Sequence, residues 1–149
     1  LIRRGFHLYW RFSRPMTLGV RAVVIDTQGC IFLVQHSYVS GWHLPGGGLE
    51  AGETALDALA KELREEGNIT LTRAPVLHGV FYNRHVSRRD HVIVFVVRDF
   101  EQISVPAPNH EIVATGFFAP GHLPSDTTRG TRARIAEVLG NLAPAQDWL

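Results

Sequence analysis

Three glutamates, Glu62, Glu65 and Glu66, stand within one short stretch, Lys61-Glu62-Leu63-Arg64-Glu65-Glu66, whose pattern is helical. At about 100° per residue, with Glu62 at zero, Glu66 lies near +40° and Glu65 near −60°, so the carboxylates share an arc of about 100°. Leu59, Leu63 and Leu56 fall at about +60°, +100° and +120°, an adjacent apolar sector for a core. Ala55 and Ala58 occupy the carboxylate sector nearer the helix start, and side chains that small admit a close approach by Gly46-Gly47-Gly48. Like charges at i,i+3 and i,i+4 repel each other. A hard divalent cation with oxygen ligands turns that repulsion into coordination, and a glycine segment can add backbone oxygen. The bland alternative is a solvated acidic surface, with Lys61 and Arg64 as partial compensation on the flank and far side. Helical geometry leaves both open.

Several elements must hold these residues in place. Val20 to Ile25 and Ile31 to Val34 are β-branched runs around Asp26-Thr27-Gln28-Gly29, which predicts a hairpin. Trp42 to Leu44 reads as a short strand leading into a glycine loop. Thr54 is placed to cap the following helix, with Asp57 in the capping-box position, and Gly67-Asn68 to end it. Val76 to Tyr82 and Val92 to Val97 predict two further strands; the second shows no alternation, so both its faces should be covered. Glu101 to Asn109 reads as a loop, Phe117-Phe118 as part of a short strand, and Thr127 to Leu142 as a closing amphipathic helix. Mixed strands and helices of this order predict an α/β sandwich.

With 149 residues, 45% of them hydrophobic and 19% charged, the chain has the size and composition of one globular domain. Because Leu1 is not a methionine, the natural start is expected upstream. A net charge of +1 gives no general attraction to nucleic acid, and nucleic acid is not an expected partner. The single cysteine, Cys30, excludes an internal disulfide and fits a reducing, cytoplasmic setting. No apolar run approaches the ~20 residues that span a bilayer, and no signal-peptide pattern is visible. Residues 1–16 form a basic, aromatic arm, with Arg3, Arg4, Arg11 and Arg14 among Phe6, Tyr9, Trp10 and Phe12. It is expected to pack on the domain or on a second subunit, which makes a homodimer plausible; a membrane-surface helix is the sharper alternative. Residues 17–149 form the domain proper.

Gly47, Glu53 and the run from Lys61 to Ile69 resemble the signature box of the Nudix hydrolase family. The lead-in Trp42-His43-Leu44-Pro45-Gly46-Gly47 matches the family's strand before the loop, and Glu111-Ile112, Phe117-Phe118 and Leu123-Pro124 resemble its late sheet and acidic loop. The resemblance covers the chain from about Thr17 onward and implies a Nudix-type α/β/α sandwich with a mixed central sheet. It further implies a Mg²⁺- or Mn²⁺-dependent pyrophosphohydrolase, cleaving a nucleoside diphosphate linked to another moiety or a nucleoside triphosphate. Glu62, Glu65 and Glu66, with the backbone oxygen of Gly47 and with Glu111, would then hold the metal. Glu53 would support the loop, beside Lys61. Two positions depart from the box, Lys61 for the usual arginine and Asn68 for the usual glycine. Lysine lacks the planar fork of arginine, whereas asparagine still tolerates a left-handed conformation.

The chemistry explains the cluster. A diphosphate concentrates negative charge, which divalent metals neutralise while they polarise phosphorus–oxygen bonds and acidify an attacking water. A carboxylate then takes the proton; Glu66, Glu65 and Glu111 are the candidates, with Glu66 preferred. Arg84, Arg88 and Arg89, with His85 and His91, form a basic segment suited to phosphate contacts or to a solvated hairpin tip. His7, His36, His43, His78, His110 and His122 show no metal-ligand spacing and read as structural. A catalytically silent, nucleotide-sensing or RNA-binding domain is the competing function, and loss of box carboxylates, its mark, is not seen. An isoprenoid-diphosphate isomerase would need a placed cysteine, and Cys30 reads as a small core residue in an early strand.

Overall fold

A computed structural model describes residues 15–149. The arm expected over residues 1–16 therefore lies, through Arg14, outside the described residues, together with both readings of it.

Strand β1 (Thr17–Val24) runs to a turn in which Asp26 Oδ1 accepts from the N–H groups of Gln28 at 2.9 Å and Cys30 at 2.8 Å. Strand β2 (Ile31–His36) follows. The turn is where the sequence predicts it, but the hairpin is not. After one bridge, Ile25 to Ile31, β1 and β2 part into different sheets. Both strands are apolar on successive residues, so each needs cover on two faces, and side-by-side pairing alone would not supply it. Alternate residues accordingly feed two cores: Val20, Ala22 and Val24 one, Val23 and Ile25 the other. Cys30 sits in the turn ahead of β2 rather than in a strand, half-buried.

Strands β3 (Trp42–His43) and β4 (Gly46–Gly48) precede helix α1 (Ala55–Gly67). The expected glycine loop is thus a strand, because the glycines lie in register against β1, with Gly48 opposite Gly19 and Gly46 opposite Arg21. Beyond α1 come β5 (Ile69–Leu71), β6 (Val76–Tyr82), β7 (Asp90–Val97), β8 (Phe100–Gln102) and β9 (Ile112–Phe118), then helix α2 (Arg129–Leu139). Glu101 and Gln102, expected in a loop, pair with β5 instead, where three-residue strands leave too short a pattern to read.

The main sheet has the order β4-β1-β7-β6 and is mixed, β1 running parallel to β7 and the other pairs antiparallel. A second sheet, β3-β2-β9, is antiparallel. Strand β7 is covered on both faces as predicted: Ile93, Phe95 and Val97 meet one core, Val92, Val94 and Val96 the other. Ala58, Leu59 and Leu63 of α1 pack into the first core, and Ile135 and Val138 of α2 into the second. The result is an α/β/α sandwich. Leu56, assigned to the apolar sector of α1, is 45% exposed, since that sector is covered only beyond the first turn.

Candidate active site

The site begins with the way α1 is fixed. The Thr54 side chain accepts from Asp57 N–H at 3.1 Å, and Asp57 Oδ2 accepts from Thr54 N–H at 3.2 Å, the reciprocal box the spacing predicts. At the other end Asn68 takes the left-handed conformation, φ 51° and ψ 32°, and its N–H closes on Arg64 and Leu63 carbonyls. Its side-chain amide also donates to Ser104 O at 3.3 Å and Ser104 Oγ at 3.2 Å. Asparagine therefore does the conformational work of the usual glycine and adds a tie to the loop after β8.

Between these caps the carboxylate face meets β4. Gly46, at φ +148°, lies so close to the Val20 carbonyl that no Cβ fits. A Cβ on Gly47 would fall 2.6 Å from Glu62 Cδ and Oε1, so the Glu62 carboxylate rests directly on the glycine backbone. Glu66 is buried; its Oε2 accepts from Gly46 N–H at 3.0 Å, and His36 Nε2 stands 3.1 Å from its Oε1. Glu65 is exposed and has no hydrogen-bond or salt-bridge partner among the described residues. Burial, then the carboxylates of Glu66 and Glu65, push Glu62 above its ordinary value, against the pull of Lys61 and Arg21.

Glu53 braces the approach to α1: its Oε1 accepts from Glu50 N–H at 2.6 Å, and Lys61 Nζ lies 3.4 Å from its Oε2. Desolvation opposes the charge on Lys61, but Glu50, Glu53 and Glu62 outweigh it and hold the ammonium above its ordinary value. Glu111 directly precedes β9. Its carbonyl accepts from Ser37 N–H at 2.8 Å, which brings it beside the end of β2, while its carboxylate is 70% exposed and 3.9 Å from His110 Nε2.

A cleft of about 1040 Å³ opens along Gly46, Gly47, Gly48 and Leu49. Tyr38, His36 and His43 border it, and so does Arg21, whose Nη1 donates to Leu44 O at 2.8 Å. Tyr38 is raised by burial and then by Glu66, with Glu111 and Glu62 adding to it, so the cleft rim feels the carboxylate cluster. Burial lowers His43, helped by Arg21 and His36 and opposed by the Ser40 carbonyl and Glu66. From the basic segment the cleft receives His85 and Val86, not the arginines. Arg84 turns to Asp147 at 3.7 Å and lies over the Tyr82 ring, and neither Arg88 nor Arg89 is among the lining residues.

The sequence pattern missed Arg21 and His36. Arg21 carries a visible signal, a guanidinium in the middle of an otherwise apolar strand. His36 carries none, because its partner lies thirty residues away.

Among the described residues no three His, Cys, Asp or Glu side chains already form a cage for a cation. The donor set nonetheless suits a hard cation: carboxylate oxygens of like charge crowd Gly46 and Gly47, and burial together with the Glu66 and Glu65 carboxylates raises Glu62. A NUDIX domain model matches residues 15–139, and the chain belongs to the Nudix family. An 8-oxo-dGTP diphosphatase of Proteus vulgaris is 38% identical over 72 residues, covering 44% of this chain and 64% of that relative's length. The crystal structure of a MutT NUDIX hydrolase from Burkholderia pseudomallei superposes with a TM-score of 0.70 at 25% identity, over 83% of this chain and 98% of the other. An ADP-ribose pyrophosphatase from Streptococcus suis gives 0.62 at 25% identity, over 84% and 92% of the two chains. No helix among the described residues is long and apolar enough to cross a membrane.

Proposed function

We propose that the chain hydrolyses the diphosphate bond of a nucleotide, either a nucleoside diphosphate linked to another group or a nucleoside triphosphate, with Mg²⁺ or Mn²⁺. The observation that carries this is the seating of Glu62 on Gly47 and of Glu66 on Gly46 N–H, which sets two carboxylates against the glycine strand that lines a nucleotide-sized cleft. The relatives named above, a nucleotide diphosphatase and an ADP-ribose pyrophosphatase, support the substrate class.

Glu62, Glu65, Glu66 and the Gly47 carbonyl would hold the cation, with Glu111 able to join from the loop before β9. A bound divalent cation supplies neutralisation of the diphosphate charge and polarisation of the phosphorus–oxygen bond under attack. Arg21 faces the same cleft and offers a guanidinium to phosphate oxygen, a role that the position of Arg84, Arg88 and Arg89 makes hard for them. Both Glu66 oxygens are engaged, which suits a fixed ligand. Glu65, free of protein partners among the described residues, is the better placed to accept the proton of the attacking water, in preference to Glu66. Lys61 and Glu53 act on the loop, keeping Glu50 to Glu53 folded against α1.

The test is product analysis over a panel of nucleoside diphosphate conjugates and nucleoside triphosphates with Mg²⁺, Mn²⁺ or chelator. The expected products are a nucleoside monophosphate and the remaining phosphorylated group, formed only with metal. Absence of cleavage across the panel, or cleavage that persists in chelator, contradicts the proposal.

A further inference from the structure

From Gly46 to Gly48 the cleft continues to an end lined by Trp148, Leu149, Asn83, Val92 and the first turn of α2. Trp148 belongs to a segment without regular structure of its own, yet it is firmly held. Residues 146–148 pair along the edge of β6, where Tyr82 N–H donates to Gln146 O at 2.8 Å and Trp148 N–H to Tyr82 O at 3.0 Å. The indole packs on Gly130 so closely that any larger residue there would collide with it.

Beneath the segment lies a buried ion pair. Arg134, 3% exposed, donates through Nε and Nη2 to both oxygens of Glu137, at 2.8 and 2.9 Å. Its Nη1 donates to the carbonyls of Asp147 at 3.2 Å and Trp148 at 3.1 Å. Its guanidinium also stacks 4.1 Å from the Phe81 ring and 5.4 Å from that of Trp148. Glu137 in turn accepts from Ala145 N–H at 3.0 Å and faces His78 Nε2 at 3.0 Å. Desolvation makes such a pair a poor source of net stability, and what it secures is geometry. The geometry secured here is that of Trp148.

Asn83, also buried, presents the complementary group. Its Nδ2 donates to Asp90 Oδ2 at 2.9 Å, and Asp90 Oδ1 accepts from Thr17 Oγ1 at 2.6 Å. Because a carboxylate can only accept, the amide orientation is fixed, which leaves Asn83 Oδ1 as an acceptor with no partner among the described residues.

We infer that this end of the cleft takes the nucleobase of the substrate. Trp148 lies against the flat face of the base, and Asn83 Oδ1 accepts from a ring N–H or exocyclic amino group. Arg134 is the positioning residue that holds Trp148 in place. The inference rests on the nucleotide-hydrolase proposal, and a binding measurement without metal separates the two. Guanosine and adenosine monophosphate are titrated into the full chain in chelator, with ribose 5-phosphate as the base-free control. The monophosphates should bind at least about tenfold tighter than ribose 5-phosphate, and Trp148→Ala should remove roughly 10- to 100-fold of their affinity while leaving ribose 5-phosphate unchanged. Trp148→Phe, which keeps a ring and guards against a folding defect, should recover most of the loss. In turnover the alanine variant should raise KM far more than it lowers kcat. Equal binding of the two ligand types, or unchanged monophosphate affinity in Trp148→Ala, overturns the inference even where the wild type cleaves diphosphates. Base-dependent binding through Trp148 without any cleavage upholds the base site and removes the proposed function.

Discussion

His36 Nε2 and Glu66 Oε1 meet at 3.1 Å, both side chains almost sealed from water, and the second Glu66 oxygen is held by Gly46 N–H. The contact requires the Nε2–H tautomer, since the carboxylate only accepts. Partners of this kind orient a ligand, and their removal lowers metal affinity or activity by about 10- to 100-fold. His36→Leu should therefore weaken Mn²⁺ binding, followed by electron paramagnetic resonance, by that factor. His36→Gln retains an N–H donor and should recover much of the loss. Equal Mn²⁺ affinity in the leucine variant would remove His36 from the site.

Gly47 is a second sensitive position. Its added methyl would meet the end of the flexible Glu62 side chain, so Gly47→Ala can be accommodated by moving Glu62 rather than the fold. Stability by urea unfolding should change by no more than about 1 kcal/mol. Turnover should fall by about 100-fold, because the displaced carboxylate no longer shares the glycine edge with Glu66. A large loss of stability with normal turnover per folded molecule would contradict this.

The raised Glu62 carries its own pH signature. A carboxyl whose folded value exceeds its unfolded one loses stability as pH rises from the ordinary carboxylate value through the folded value. In chelator, Glu62→Gln should be more stable than wild type at pH 7, by roughly 0.2–0.5 kcal/mol for each like-charge contact removed, and the difference should vanish in acid. Thermal melts across that range provide the measurement. Saturating Mg²⁺ should reverse the order at neutral pH, because only the wild type gains from binding.

These residues also show what the sequence could and could not convey. Helix α1 was legible in detail, cap, register and carboxylate face, because each signal lies within a few residues of its partner. Strand β7 was legible for the same reason. The role of Gly46 to Gly48 as a strand was not, since glycine carries no β pattern and only the register against β1 makes it one. The parting of β1 from β2, the contact between His36 and Glu66, and the turn of Arg84 toward Asp147 are all set by distant chain. Periodicity reports which face is buried and leaves open which neighbour buries it.

The Arg134–Glu137 network predicts acid sensitivity. Burial would raise Glu137, but Ala145 N–H, His78 and Arg134 outweigh it and hold the carboxyl below its ordinary value. A depressed carboxyl contributes stability above the unfolded value of about 4.3 that is lost as pH falls through the folded one. Urea unfolding should show Glu137→Gln about 1–3 kcal/mol less stable than wild type at pH 7. The gap should narrow steadily in acid, and a gap independent of pH would mean that Glu137 is not held ionised.

The carboxylate face on the glycine edge is central to the proposed hydrolysis, and turnover of the preferred nucleotide by Glu66→Gln is its sharpest check. With saturating Mg²⁺ kcat should fall at least about 100-fold, with the melting profile in chelator close to that of the wild type. Wild-type kcat in Glu66→Gln would take Glu66 out of the hydrolytic site.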